Sequence, residues 1–240
     1  MINNTQKKWP KKLPEFTPEQ KRIRSEFMEC WHEVLPAKYG IVEKFNHGFP
    51  VQERNITTNT TKMRTLEIGS GLGEHINYES LSDQEYFAVE LRGNMAKKIA
   101  IKYPAVSVVI GDAQNLPFKS DYFDRVLAIH VLEHLPDLPC AIQEVNRVMK
   151  KNRNSQFCAL IPIEGGFAYS FARNISARRI FEKRFKQSYD WVIKSEHINL
   201  PDEIFLELRK FFNLEKIKYF PFNVPLKSIN LCIGIIMLPK

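Results

Sequence analysis

Apolar and polar positions along this chain switch repeatedly between two periods. From Met63 onward, short runs rich in β-branched and other apolar residues alternate with segments of helical spacing. Arg64–Ile68, Glu85–Glu90, Val106–Ile110, Arg125–Ile129 and Gln156–Ile161 are expected strands, and Asn94–Lys102 is an expected helix. The run from Arg125 to Ile129 is almost continuously apolar, as in a strand covered on both faces. A second helix follows it, with Leu138, Ala141, Ile142, Val145, Val148 and Met149 on one face. Asp137 is placed to cap that helix, Pro139 falls in its first turn, and Lys150 and Lys151 suit its negative end. Asn152 is expected to make a left-handed exit. Strands separated by helices require right-handed crossovers and hence a parallel sheet.

The flanks differ from this alternation. Thr17-Pro18-Glu19-Gln20 predicts a helix start, with Thr17 as cap and Gln20 reaching back to it, and the helix should run to about Leu35, ahead of Pro36. Residues 55–61, rich in Asn and Thr, lack periodicity and are expected to be a linker. Beyond an aromatic and basic stretch, 164–199, a helix is expected over about 201–212. Two β-rich stretches follow, 214–220 and 229–236, separated by Pro221 and Pro225, which predicts an antiparallel hairpin closing the sheet. Three parts are therefore expected: an extension and linker (1–62), a core (63–163), and a covering segment with the last strands (164–240).

Composition changes this picture little, since 44% apolar and 26% charged residues over 240 positions suit one globular α/β unit. Met1–Lys12 is polar and basic without the apolar stretch of a leader, and no run is long enough to span a membrane, so a cytoplasmic protein is expected. Cys30, Cys140, Cys158 and Cys232 are scattered, each beside apolar residues; they are expected to be small buried hydrophobes, and no metal site is expected. The net charge of +8 invites an anionic partner. The excess lies in residues 1–24 and 171–186, the second of which includes Arg173, Arg178 and Arg179. A solvated surface explains it equally well.

Candidate chemistry gathers at the strand ends. Thr65-Leu-Glu-Ile-Gly-Ser-Gly-Leu-Gly-Glu-His75 places glycines at 69, 71 and 73 directly after the first strand. Such a turn lets backbone approach a ligand closely. A dinucleotide fingerprint would require glycine at 74, where Glu74 stands instead. Glu67 and Glu74 bracket the loop and would repel a pyrophosphate, whereas a cationic ligand tolerates them. Glu90 ends the second strand, 23 residues after Glu67, where a carboxylate can accept from both ribose hydroxyls. Asp112 follows the third strand and could accept from an adenine amino group.

These motifs, with Phe-Asp-Arg-Val-Leu-Ala-Ile-His-Val-Leu-Glu-His-Leu from Phe123, resemble in order and spacing the class I S-adenosylmethionine (SAM)-dependent methyltransferases over about residues 63–163. The resemblance implies a Rossmann-like α/β fold, with a mostly parallel seven-stranded sheet and an antiparallel C-terminal hairpin. It implies that Glu67, Ser70 and the glycines Gly69, Gly71 and Gly73 line the methionine part of SAM. It likewise puts Glu90 and Leu91 at the ribose, Asp112 and Ala113 at the adenine, and His130 near the sulfonium. The product would be S-adenosylhomocysteine. One departure is Lys150-Lys-Asn-Arg-Asn-Ser155, where relatives often carry Lys-Pro-Gly-Gly; it touches a turn, away from the cofactor residues.

A sulfonium methyl is already activated, so the protein mainly orients the reactants and controls water. A base is needed only if the acceptor must lose a proton early. His130 and His197 are the candidate catalytic residues; His134 is expected to be packed at a helix entrance, and Glu133 to be structural. The aromatic and basic segment is expected either to stack and charge-pair with the acceptor or to bury its rings in a helix core. That segment and Phe220-Pro-Phe-Asn-Val-Pro225 also look similar to methyltransferases of surface-saccharide biosynthesis, which implies O-methylation of a saccharide or related metabolite, including anionic ones. RNA or DNA is a competing acceptor on charge. Against it, Ile129-His-Val-Leu stands where an Asn/Asp-Pro-Pro-Tyr/Phe motif would serve amino-group methylation, and no cysteine stands there. A non-catalytic SAM-binding module is the third alternative; the intact acidic and glycine set speaks against it. Oligomeric state is left open.

Overall fold

The computed structural model describes residues 8–54 and 62–240, with residues 32–38 described by their backbone alone. The expected linker, 55–61, and the first seven residues of the basic arm lie outside the described residues. Two helices, α1 (Pro18–Lys38) and α2 (Gly40–Gln52), precede the sheet. Its strands are β1 (Met63–Ile68), β2 (Gln84–Glu90), β3 (Ser107–Ile110), β4 (Arg125–Ile129), β5 (Gln156–Pro162), β6 (Phe212–Phe220) and β7 (Cys232–Pro239). Helix α3 (Gly93–Lys102) follows β2, and α4 (Leu138–Val148) follows β4. Between β5 and β6 lie α5 (Phe167–Arg173), α6 (Arg179–Phe185), α7 (Asp190–Glu196) and α8 (Pro201–Phe211).

The sheet order is β3-β2-β1-β4-β5-β7-β6. Strands β1 to β5 are parallel, whereas β7 runs antiparallel to both β5 and β6. The chain thus winds outward from β1 in one direction and then, from β4, in the other. At such a switch the connecting loops part and leave a crevice beyond the carboxyl ends of the strands.

Alternation along the strands builds two cores. Leu66, Ile68, Val126, Ala128 and Phe157 pack with Ile142 and Val145 of α4 and Ile204 and Leu208 of α8. Tyr86, Ala88, Leu127 and Leu160 face the opposite way, against Phe49 of α2 and Ile99 of α3. A third cluster joins Ile23 and Phe27 of α1 to Phe181, Tyr189 and Val192. Rings of the basic segment thus divide: Phe181 and Tyr189 are buried, while Phe167 and Phe171 are exposed.

Several local expectations are met in detail. Thr17 N–H donates to Gln20 Oε1 (3.0 Å) and Gln20 N–H to Thr17 Oγ1 (3.2 Å), the reciprocal cap that starts α1. That helix continues past Pro36 to Lys38. Asp137 accepts from Cys140 N–H (3.2 Å) at the start of α4. The end of α4 differs from expectation. Met149 is already extended, and Asn152 does not take positive φ. Strand-like bridging of Met149 to Phe123 ends the helix before a left-handed residue is needed. Cys158 and Cys232 are buried as expected, but Cys30 and Cys140 are only half-buried. Helix α2 carries Gly48 and Pro50 and no side-chain cap, so local patterning does not announce it; packing of Phe49 on the sheet holds it.

Arg125 opens an apolar strand yet is 1% exposed. Its guanidinium donates to Glu79 Oε1 (2.7 Å) and to the Pro50 carbonyl of α2 (2.7 Å). Glu79 also meets His75 Nε2 and Gln84 Nε2, each at 2.9 Å. Burial opposes ionisation of Glu79, but His75, Arg125 and Gln84 outweigh it and hold the carboxyl well below its usual range. Removing one partner of such a pair strands the other charge. We expect Arg125→Met to lower unfolding free energy by about 3–5 kcal/mol in urea titrations, and Glu79→Gln/Arg125→Met to lower it less.

Candidate functional site

The three acidic candidates meet at one edge of the sheet because parallel register aligns the strand ends. Ile68 pairs with Val89, and Glu90 with Ile110. Backbone hydrogen bonds then lace the loops together. Gly69 N–H and Ser70 N–H both donate to the Val89 carbonyl (2.8 and 3.2 Å), and Gly111 N–H donates to the Glu90 carbonyl (3.2 Å). Gly69 and Gly73 have φ of +65° and +78°. A Cβ at Gly69 would lie 2.5 Å from Val131, and one at Gly73 would lie 2.9 Å from Tyr103. Both positions therefore require glycine on conformational and steric grounds.

Glu90 is buried and held rigidly. Its Oε2 accepts from Gly71 N–H (2.9 Å), and Oε1 accepts from Arg92 N–H (3.0 Å) and Arg92 Nε (2.8 Å). The same carboxylate therefore shapes the glycine loop and retains lone pairs for a ligand. Asp112 Oδ1 accepts from Gln114 N–H (2.9 Å), and Gln114 Nε2 reaches both of its oxygens (3.0 Å each). Ala113 is buried beside it, whereas Leu91 is 66% exposed.

Glu67 stands apart chemically. It lies inside β1, buried, and its Oε2 accepts from the neutral Tyr86 hydroxyl at 2.8 Å. Burial pushes its pKa up to about 8 against the Tyr86 hydrogen bond, with Glu74 and Glu79 adding repulsion. A cation brought nearby would favour ionisation.

The loop after β4 completes this edge. His130 has φ of +54°, and its N–H donates to the Leu160 carbonyl (2.9 Å). The next residue, Val131, is the one that lies over Gly69, so His130 adjoins the glycine loop. His130 Nδ1 is 3.4 Å from Glu133 Oε1. His134 Nδ1 donates to the Glu196 carbonyl at 2.5 Å, as expected of a packed side chain, and burial lowers its pKa. Burial works against the charge of Glu133, yet hydrogen bonding from His130 and the fields of His134 and His197 hold it ionised.

His197, at the end of α7, comes to the same side. Its Nδ1 meets Glu164 Oε2 at 2.8 Å, its ring stands edge-on to His134 with centroids 5.1 Å apart, and Tyr169 lies beyond at 6.1 Å. Glu164 also pairs with Arg173, whose Nε is buried without a hydrogen-bond partner among the described residues. Sequence reasoning passed over Glu164, although it follows β5 as Asp112 follows β3. Arg178, a candidate for acceptor contact, is instead engaged by Asp190 (2.5 Å) and Glu182 (3.1 Å).

Strand order, glycine loop and acidic edge together define a Rossmann-like fold of the methyltransferase type. Residues 66–153 match the family model described as a methyltransferase domain. The demethylmenaquinone methyltransferase of Staphylococcus carnosus is 34% identical over 133 residues, covering 51% of this chain and 50% of that protein. The chloroplastic 2-methyl-6-phytyl-1,4-hydroquinone methyltransferase 1 of Oryza sativa subsp. japonica is 29% identical over 110 residues, 45% of this chain and 30% of that one. The chain thus spans half or less of the length of these relatives. A Thermotoga maritima structure, described as a SAM-dependent methyltransferase and possible histamine N-methyltransferase, superposes with a TM-score of 0.60 at 20% identity. It covers 91% of this chain and 99% of that one. Residues 66–153 thus match a methyltransferase domain set in a Rossmann-like fold similar to that of the class I SAM-dependent methyltransferases, a family whose methyl donor is SAM.

Two predictions follow from the loop edge. Gly69→Ala combines a left-handed strain of about 1–2 kcal/mol with the Val131 clash, and should weaken SAM binding at least tenfold by calorimetry. Glu67 has a folded pKa above its unfolded value of about 4.3, so the unfolded chain ionises first. Stability it contributes at low pH should drain away as pH rises from there through about 8, and Glu67→Gln should abolish that part of the slope in denaturation curves.

Proposed function

We propose that this protein transfers the methyl group of SAM to a small-molecule acceptor held between the loop after β4 and the α5–α7 segment. The observation that carries this reading is the interlocked edge in which Gly71 is hydrogen-bonded to Glu90 while Glu67 stays buried, with no cationic hydrogen-bond partner among the described residues. Such an edge fits a nucleoside attached to a positive charge. Glu90 would accept from the ribose hydroxyls, with Leu91 closing over them. Asp112 and Ala113 would meet the adenine. Glu67, Ser70 and the glycine loop would hold the methionine end, with His130 beside the sulfonium. When bound, SAM supplies a methyl group whose bond to sulfur breaks toward sulfur, leaving the thioether S-adenosylhomocysteine. The chain's own work is to orient the acceptor in line and keep water away. His130 would take a proton where the acceptor must lose one, and His197 would contact the acceptor.

Support for a small acceptor comes from charge pairing. Lys8 and Lys11 are committed to Glu203, and Arg24 to Glu196. These cations of the N-terminal basic stretch are thus held by internal partners, which leaves them less free to contact a polyanion. The Nε of Arg173, unpartnered among the described residues, favours an acceptor with an oxygen to offer. Phe167, Phe171, Phe222 and Leu226 are exposed, and α5 is tied to the loop bearing the last two by Ala168 N–H donating to the Ser228 carbonyl (2.8 Å). This apolar surface favours a ring-bearing, quinol-like acceptor, the class named in the two relatives, over the saccharide that the fainter similarity suggests.

Loss of two charge-assisted hydrogen bonds of about 1.5–3 kcal/mol each should weaken SAM binding at least 100-fold in Glu90→Ala, with an unchanged circular dichroism spectrum. Equal affinity in that variant would overturn the cofactor assignment. A cationic ligand should also pull a proton off Glu67, because ionisation is favoured beside positive charge. Between pH 6 and 8, SAM binding should release a proton in wild type, read as a buffer-dependent calorimetric enthalpy, and release less in Glu67→Gln. Methyl transfer from labelled SAM to quinols and to nucleotide sugars separates the two acceptor classes.

A further inference from the structure

Glu133, His134 and His197 bring one carboxylate oxygen and two imidazole nitrogens within 4.8 Å of one another. Each ring has a proton position dictated by an outer partner. The Glu196 carbonyl, 2.5 Å from His134 Nδ1, can only accept, so the ring proton sits on Nδ1 and Nε2 keeps its lone pair. The Glu164 carboxylate, 2.8 Å from His197 Nδ1, fixes that ring the same way. His134 Nε2 faces Glu133 at 3.8 Å from Oε1, beyond hydrogen-bond distance. Glu133 itself is 1% exposed, and its Oε2 has no hydrogen-bond partner among the described residues. A purely structural network would not leave a buried carboxylate oxygen bare, at a cost of about 1–3 kcal/mol or more.

We infer that Glu133, His134 Nε2 and His197 Nε2 form a binding site for a divalent transition-metal ion of the zinc type. Two imidazoles and one carboxylate are a recurrent three-ligand zinc set, and imidazole donors disfavour calcium and magnesium. The outer partners follow the same logic: ligating histidines usually give their other N–H to a carboxylate or a carbonyl, which orients the ring. Local charge also suits a cation, since Glu133, Glu164 and Glu196 are opposed by Arg173 and Arg24 alone among their ion-paired arginines. Ligand atoms about 2.0–2.2 Å from a tetrahedral ion stand roughly 3.4 Å apart, so the side chains close inward by about an ångström on binding. The expectation that the chain has no metal site came from cysteine spacing. It could not register ligands that lie far apart along the chain and meet only where α7 folds over the turn after β4.

Three protein ligands leave a coordination position for water or an acceptor oxygen. His130, 3.4 Å from Glu133 Oε1, sets that position beside the proposed methyl-transfer centre. In this use the inference rests on the proposed function, and the contact of His197 with the acceptor would pass through the ion. Metal binding itself does not depend on it.

Chelator-treated protein titrated with Co²⁺ should develop visible d–d absorption of a low-coordinate nitrogen and oxygen site, saturating at about one ion per chain, and Zn²⁺ should abolish it. Zn²⁺ should also raise the melting temperature of wild type. His134→Ala and His197→Ala should each weaken Zn²⁺ binding at least 100-fold, and Glu164→Gln, which removes only the orienting partner, by about tenfold. Melting of the metal-free variants shows that they fold. Absence of saturable Co²⁺ binding, or wild-type Zn²⁺ affinity in folded His197→Ala, would overturn the inference. SAM affinity measured on wild type keeps the readings apart: wild type that binds SAM but no metal sinks the metal site alone, and wild type that binds metal but no SAM sinks the cofactor assignment alone.

Discussion

The site depends first on the parallel register of β1 with β2 and of β2 with β3. Parallel pairing sends every carboxyl end to the same edge, and aligned ends let one carbonyl, that of Val89, accept from both Gly69 and Ser70. The glycine loop is therefore shaped by its neighbour strand more than by its own residues. Glu90 extends the arrangement by one bond, its side chain accepting from Gly71. The carboxylate thus braces the loop from the neighbouring strand, and in the proposed function it would couple loop shape to ligand recognition.

Two buried carboxylates on the same face of the sheet show how environment separates structural from functional charge. Glu79 is surrounded by donors, Arg125 and Gln84 among them, and is held ionised. Glu67 receives one hydrogen bond from a neutral phenol and is pushed toward its protonated form. The first arrangement binds α2 to the sheet through the Pro50 carbonyl. The second opposes ionisation, a cost that the cationic ligand of the proposed function would relieve. Among the described residues no helix is long and apolar enough to cross a membrane.

The segment between β5 and α8 has two jobs. Phe181, Tyr189 and Val192 anchor it to Ile23 and Phe27 of α1. From that anchor α7 delivers His197 to Glu164 and His134, while α5 presents Phe167 and Phe171 outward. An anchored cap with one polar and one apolar side can orient a polar group of an acceptor and accommodate an apolar remainder.

Much of this was legible along the chain because short-range rules govern it. Strand periodicity, the Thr17 and Asp137 caps and the glycine spacing depend on neighbours within a few residues, and the mostly parallel seven-stranded sheet with its antiparallel C-terminal hairpin followed from strand–helix alternation and the family likeness. Glu67, Glu90 and Asp112 could be singled out because each falls within two residues of the carboxyl end of its strand. Helix α2, the burial of Arg125, the early end of α4 and the grouping of Glu133, His134 and His197 were decided by tertiary structure. Each is set by a partner distant in sequence: the sheet under Phe49, Glu79 beside Arg125, Phe123 against Met149, and α7 folding onto the turn after β4. Local pattern specifies which face a residue occupies. Only packing decides which other residue waits there.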